Sequence, residues 1–324
     1  MILVTGASGL VGRAVVKQLR SDGHKVRALV RTASIPAFQN DRADVDVQAL
    51  DLQTAQLSDY ERAVEDCSAI VHCAGLVHNP TAEKQAYELI NVQSTNNLHK
   101  AAKVAGVQSF VFLSSSAVYG SGTFADLRED AKLNPENDYA RSKLQSEQQL
   151  HADPPAPLTV VLRPSLVFGE GDRGNMISLI RQINKGLYFH LCGNAARKSV
   201  IYSADLARAV ALCTQALSPG FHVFNVCNER SVGVVELADS IAETLGRCAP
   251  PTVPANLMRM GATVAQSLLG DRSPLTVSRL QKLEATTTLS VQRLVQATGF
   301  KDTVSLSTAI DNEVKWARAA GILG

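Results

Sequence analysis

The 324-residue chain has no apolar run of about eighteen residues, the length a membrane-spanning helix needs, so no integral membrane segment is expected. Met1–Gly6 carries no basic region and only a short apolar stretch, which excludes a secretory signal and points to a cytoplasmic protein. Aromatic residues make up only 5%, too few for a base-stacking platform, and the net charge is only +2, from 32 Lys+Arg against 30 Asp+Glu. Both argue against a nucleic-acid partner. None of the six cysteines forms a C-x-x-C pair or stands at zinc-like spacing from histidine, so no metal is expected and the thiols read as free. With 21 Gly and 12 Pro dispersed along it, the chain is neither fibrous nor of low complexity.

What is present is an alternation of short apolar runs and helical patterns. Ile2–Thr5, Val26–Val30, Val45–Leu50, Ala69–Cys73, Phe110–Leu113 and Leu158–Leu162 read as strands. Helices are expected at Leu10–Arg20, Tyr60–Asp66, Tyr87–Ala105 and Tyr139–His151. Continuously apolar strands between helices predict an α/β fold, a doubly wound parallel Rossmann sheet covered on both faces. Val223–Val226 reads as one more strand and Val234–Leu245 as a helix, and from Cys248 onward no sheet rhythm is visible. The Leu257–Leu269 stretch is interrupted by Arg259 and Gln266. It reads as an amphipathic packing helix, with a membrane contact as the alternative.

Between the first strand and first helix stands Thr5-Gly6-Ala7-Ser8-Gly9-Leu10-Val11-Gly12. Such a turn lets backbone N–H groups and the helix N-terminus approach a pyrophosphate, so Gly6, Ser8, Gly9, Leu10, Val11 and Gly12 are candidate dinucleotide contacts. An NAD site usually has an acid at the end of the second strand to hold the ribose 2′-hydroxyl. Here Arg31 stands there, with Arg13 behind Gly12, which favours NADP(H), with NAD(H) as the alternative. Asp51 and Leu52 follow the third strand, where they can meet the adenine. Cys73, Ala74 and Gly75 close the fourth strand beside the cofactor. His72 reads as a strand-end hydrogen-bonding group rather than a catalyst.

Tyr139 and Lys143 lie four residues apart, on one face of a helix. An ammonium near a phenol favours the phenolate, which suits Tyr139 to acid/base work. Ser114-Ser115-Ser116-Ala117-Val118-Tyr119-Gly120 follows the fifth strand, at the sheet edge where α/β chemistry occurs. A serine there can polarise a substrate oxygen.

Taken together, Gly6/Gly9/Gly12, the S-S-x-x-V-Y-G segment and Tyr139-Ala140-Arg141-Ser142-Lys143 resemble the extended short-chain dehydrogenase/reductases, the family of NAD(P)-dependent epimerases, dehydratases and ketoreductases. The resemblance continues through Asn91-Val92-Gln93-Ser94-Thr95, Leu162-Arg163-Pro164, Val167-Phe168-Gly169 and Tyr202–Ala207. Ser94 and Ser203-Ala204 depart from the family pattern. It implies hydride transfer with Ser115, Tyr139 and Lys143 as the catalytic set. Ser114, Asn91, Tyr139, Lys143 and Arg163 are implied at the cofactor. It also implies a homodimer through the Tyr87–Ala105 and Tyr139–His151 helices.

The Arg163–Ile183 and Leu275–Phe300 stretches are similar to a subgroup that acts on nucleotide sugars for bacterial surface polysaccharides. That implies a small-molecule nucleotide-sugar substrate, with His78, Ser115, Ser116, Asn175 and Arg279 as candidate contacts; Asn175 is equally readable as a helix cap. Arg31 favours a 4-ketoreductase of a UDP-4-keto-6-deoxy-N-acetylhexosamine. The alternatives are a 4-epimerase of a UDP- or undecaprenyl-diphosphate-linked N-acetylhexosamine, a non-sugar ketoreductase, or a non-catalytic NADP sensor. Residues 1–165 with about 199–228 are expected to form the cofactor domain. About 166–198 with 229–324 are expected to form a smaller α/β substrate domain.

Overall fold

The computed structural model describes residues 1–35, 45–77, 82–269 and 277–323; within these, nothing is said of the side chains of residues 262 and 264–279. Seven parallel strands form the main sheet: β1 (Ile2–Thr5), β2 (Val26–Val30), β3 (Asp46–Ala49), β4 (Ala69–His72), β5 (Ser109–Leu113), β6 (Leu158–Pro164) and β7 (Gly220–Val226). Their order is β7-β6-β5-β4-β1-β2-β3. The chain starts at β1, builds outward to β3, then returns to the other side of β1 with β4. A crevice therefore opens between β1 and β4 at the carboxyl edge.

The apolar strands have cores on both faces. Val4, Val71, Val111 and Leu113 face one side, against Val15, Val16 and Leu19 of α1 (Leu10–Ser21) and against Leu206 and Val210 of a later helix. Leu3, Ile70, Phe110 and Phe112 face the other. They meet Tyr60 of α2 (Leu57–Val64), Leu98 and Ala102 of α3 (Ser94–Val104), and Leu150 of α4 (Asp138–Ala152). Strict alternation on strands buried on both sides is what the continuous apolar runs encode.

The long helix expected over Tyr87–Ala105 is broken into parts. A short helix at Lys84–Tyr87 runs into a π-helical turn at Glu88–Gln93 and then α3. The extra residue per turn releases a carbonyl, and the Thr95 hydroxyl donates to the Asn91 carbonyl at 2.5 Å.

A second core joins α5 (Asn175–Asn184) through Ile180, α7 (Val234–Leu245) through Ile241 and α11 (Leu306–Ala319) through Ile310 and Val314. Between α5 and α7 lies α6 (Ser203–Gln215), which packs on α1. The remaining helices are α8 (Ala255–Leu269), α9 (Val277–Glu284) and α10 (Gln292–Thr298). The region from Cys248 onward also holds the strands Thr252–Val253 and Thr287–Leu289. They are too short for periodicity to show, and they exist through pairing with His190–Leu191 and with Arg197–Lys198 and Phe124–Leu127. Leu289, Leu294 and Phe300 pack into the main sheet's core.

Asp205, from the Tyr202–Ala207 motif, joins these parts. It is fully buried, and its carboxylate accepts from the Thr303 N–H (2.9 Å), the Thr303 hydroxyl (2.9 Å) and the Val304 N–H (3.3 Å). Asp205→Ala should lower unfolding stability by about 2–4 kcal/mol, because it orphans a charge-assisted hub, with Asp205→Asn losing less. Denaturant titration of the three proteins checks this ordering.

Candidate active site

The crevice between β1 and β4 begins at Gly6, where φ is +63° and an added Cβ would lie 2.7 Å from the Ala74 Cα. A Cβ on Gly12 would lie 2.2 Å from the Gly6 carbonyl oxygen. Only glycine allows these approaches. Helix α1 starts after Gly9 with no side-chain cap and no acid in its first turn. Its first N–H groups, at Leu10 and Val11, are thus left for an anion, and a Ser8 turn stands beside them, its carbonyl accepting from Arg13 Nε at 2.9 Å. The cradle fits a dinucleotide pyrophosphate. Arg31 follows β2 and is exposed at the same edge. Asp51, also exposed, follows β3; its Oδ1 accepts from the Gln53 N–H at 3.0 Å, while Leu52 packs partly into the core.

Across the crevice, a directed chain of hydrogen bonds holds the ends of β1 and β4 together. The Ala74 N–H donates to Thr5 Oγ1 (3.1 Å), and Thr5 Oγ1 is 2.7 Å from His72 Nδ1. His72 Nε2 is 2.9 Å from Thr95 Oγ1, whose proton is committed to the Asn91 carbonyl. His72 Nε2 is then the donor, and in the neutral ring that burial favours Nδ1 accepts from the Thr5 hydroxyl. Complete burial, with Lys143 adding repulsion, pushes the His72 pKa down to about 3. The expectation of a hydrogen-bonding His72 matches this geometry.

Asn91 extends the chain. Its Oδ1 accepts from the Leu76 N–H (2.6 Å), and its Nδ2 donates to the Leu76 carbonyl (3.1 Å) and to Ser142 Oγ (2.8 Å). The Ser142 hydroxyl donates to the Tyr139 carbonyl at 2.8 Å. Helix α4, which carries Tyr139, is thereby tied to the loop after β4. On that helix, the Tyr139 side chain approaches Ser115, whose Oγ accepts from the Ala117 N–H at 3.1 Å. Burial raises the Tyr139 pKa; the Ser115 hydrogen bond works against this, and nearby Tyr87 adds to the rise.

A glycine cradle at β1, a crevice at β4 and a Ser–Tyr pair at the edge of β5 form one continuous arrangement. Residues 2–227 match the model of the NAD dependent epimerase/dehydratase family. The chain belongs to that family. A UDP-glucose 4-epimerase of Vibrio cholerae is 31% identical over 76% of this chain and 76% of its own length. A dTDP-4-dehydro-6-deoxy-D-allose reductase of a Streptomyces species is 29% identical over 76% of this chain and 81% of its own. The solved structure of MoeE5 in complex with UDP-glucose and NAD superposes with a TM-score of 0.74 at 25% identity, covering 98% of this chain and 99% of that one.

Within this epimerase/dehydratase fold, Lys143 departs from the expected contact with the phenol. It is buried; its Nζ donates to the Leu113 carbonyl (2.8 Å) and lies 4.7 Å from the centre of the Phe112 ring. A Cβ on Gly75 would stand 3.1 Å from that Nζ. Burial lowers the Lys143 pKa to about 8, against smaller opposing effects of Cys73 and Glu147. Burial pushes the Cys73 thiol up to about 12, against an opposing effect of Lys143.

Ser114 and Arg163 are also engaged differently from the expected cofactor contacts. The Ser114 hydroxyl donates to Glu147. Arg163 forms a buried ion pair with Glu147 (2.6 Å) and donates to Tyr119 Oη (3.0 Å). This network braces α4 against β5 and β6.

Ser116 opens the helical turn after β5, beside Ser115. Asn175 is exposed at the first position of α5 and does not cap it. Asp172 accepts from the N–H groups of Gly174 (2.7 Å) and Ile177 (3.1 Å) instead. His78 lies outside the described residues, and the Arg279 side chain likewise.

Sequence reasoning missed Thr5, Thr95, Ser142 and Glu147. Their signal was present: Ser142, Lys143, Ser146 and Glu147 form a polar stripe at helical spacing, and all four are buried.

Two outcomes follow from these burials. A charged, buried Lys143 lowers stability near pH 7, because the unfolded lysine binds its proton more tightly. Lys143→Met should therefore stabilise the cofactor-free protein by roughly 1–2 kcal/mol, net of one lost hydrogen bond, while abolishing turnover. Thermal melts and a rate assay read the two effects. For His72 the folded pKa lies below the unfolded value, so the unfolded chain binds more protons and stability falls with falling pH. Between pH 7 and 5 the native protein should lose about 2 kcal/mol relative to His72→Gln, which keeps a donor and an acceptor but does not titrate. Denaturation midpoints at the two pH values measure this.

Proposed function

We propose that the protein is an NADPH-dependent reductase of the 4-keto group of a nucleotide-linked 4-keto-6-deoxy sugar, with a UDP-4-keto-6-deoxy-N-acetylhexosamine as the favoured substrate. The observation that carries this reading is Arg31, exposed at the carboxyl end of β2, where a site built for NAD would place an acid. A guanidinium there pairs with a 2′-phosphate, whereas a carboxylate would repel one. A net reductase must exchange spent cofactor each cycle, and an NADPH preference suits that.

The nicotinamide dinucleotide, held by the Gly6–Gly12 turn and Arg31, supplies the hydride chemistry. Ser115 aligns the substrate oxygen through a hydrogen bond. Tyr139 delivers the proton to the oxygen. Burial keeps its phenol protonated around neutral pH, which suits a group that donates during reduction. Lys143, beside Gly75 and Phe112, places positive charge under the cofactor side of the site. Asn175, exposed at the first position of α5, offers a side-chain donor to the substrate diphosphate.

A second reading, NAD-dependent 4-epimerisation of a UDP-linked sugar, is favoured by the likeness to the Vibrio cholerae UDP-glucose 4-epimerase. One assay separates them. Incubated with UDP-4-keto-6-deoxy-GlcNAc, the protein should oxidise NADPH and yield a 4-hydroxy product by NMR. Tyr139→Phe should lose at least about a hundred-fold in rate with NADPH binding retained. Arg31→Ala should weaken NADPH binding about ten-fold and leave NADH binding little changed. Interconversion of UDP-GlcNAc and UDP-GalNAc without net NADPH consumption would establish the epimerase instead.

A further inference from the structure

Helix α8 fulfils only half of the packing role its sequence suggests. Met258 turns inward onto Leu191 and Leu280, whereas Leu257 and Met260 are 57% and 67% exposed. A second apolar pair, Leu187 and Phe189, is also exposed. The two segments are joined: His190–Leu191 pairs in parallel with Thr252–Val253, just before α8 begins. Phe189 immediately precedes the His190–Leu191 strand, and Met258 packs on its Leu191. Seven large apolar side chains are exposed among the described residues, and four of them fall on these two segments. Their clustering sets them apart from the scattered exposed apolar residues of an ordinary surface.

The charge pattern of the same segments is one-sided. The chain has 30 acidic residues, yet none occurs between positions 173 and 204 or between 244 and 269. Those stretches carry Arg181, Lys185, Arg247 and Arg259, all exposed. Among the acids of neighbouring helices, Glu284 pairs with Arg259 (2.7 Å) and Asp239 contacts His190 (2.9 Å). A second copy docked face to face would set cations against cations, so this face is poorly suited to self-association.

We propose that this face binds the surface of an anionic lipid bilayer. Leu187, Phe189, Leu257 and Met260 enter the boundary between headgroups and acyl chains. Arg181, Lys185 and Arg247 meet the anionic headgroups. No helix among the described residues is long and apolar enough to cross a membrane, and the contact is peripheral. The proposal stands apart from the substrate assignment, because none of these residues is placed at the cofactor or the reacting oxygen.

The test is co-sedimentation of the full chain with vesicles of phosphatidylglycerol and phosphatidylcholine, and with phosphatidylcholine alone. Binding should require phosphatidylglycerol and decline as salt is raised. The Leu257→Ser/Met260→Ser double variant, and separately Phe189→Ser, should weaken binding, the double variant by at least about ten-fold. Unchanged thermal midpoints and NADPH affinity would show that the variants are folded. Failure of the native protein to sediment with phosphatidylglycerol vesicles at low salt would overturn the proposal. So would equal binding to phosphatidylcholine alone. A concentration-dependent dimer that the same substitutions abolish, with no vesicle binding, would assign the face to a second copy instead.

Discussion

The site depends on one constraint: polar atoms buried where the sheet's carboxyl edge meets α3 and α4 must be satisfied from within the protein. The answer is a directed chain of donors and acceptors from the Ala74 N–H through Thr5, His72 and Thr95 to Asn91. From Asn91 it continues through Ser142 to the backbone of Tyr139. Thr95 and Ser142 each commit their one hydroxyl proton to a carbonyl, so the chain has one orientation and the neutral imidazole one tautomer. The glycine turn after β1 and the helix that carries Tyr139 are held in a fixed relation by this chain. The π-helical turn at Glu88–Gln93 belongs to the same solution, since it frees the carbonyl that Thr95 uses.

Behind this chain stands a second polar assembly of different character. Arg163 and Glu147 are both buried, and the pair is joined by Ser114, Tyr119 and, through Tyr119, by Asn225 of β7. Pairs of this kind contribute little net stability against an apolar replacement, but they penalise every arrangement in which one partner is missing. Their effect here is to fix the rotation of α4 on the sheet. That rotation in turn decides that Tyr139 reaches Ser115 while Lys143 lies under the crevice, against Phe112 and Gly75. Tyr139 and Lys143 share a helix face but occupy different environments. Burial accordingly shifts their pKa values in opposite directions, up for the phenol and down for the amine.

Much of the fold was legible in the residues because the signals are local. Apolar runs of four to seven residues that alternate between two cores leave a continuous hydrophobic record, as Phe110-Val111-Phe112-Leu113 does. The two-residue strands at Thr252–Val253 and Arg197–Lys198 left none, because pairing partners distant in sequence alone make them strands. The break in the Tyr87–Ala105 helix was equally hidden. A π-turn changes the spacing by one residue, less than an amphipathic pattern of that length resolves. Asn175 read equally as a cap and as a ligand, and the structure gives the capping to Asp172.

The sequence by itself determined the parallel α/β architecture, the glycine turn, the Tyr139/Lys143 spacing and the cation at the end of β2. Each of these is a short stretch whose chemistry follows from its own residues and their spacing. Only the tertiary structure decided that Lys143 donates to the Leu113 carbonyl, that Ser114 and Arg163 serve a buried network, and that His72 joins β1 to β4. It alone decided that Phe189, Leu257 and Met260 remain uncovered. These outcomes depend on which groups burial brings within about 3 Å of one another, and a buried donor or acceptor takes the partner that the packing supplies.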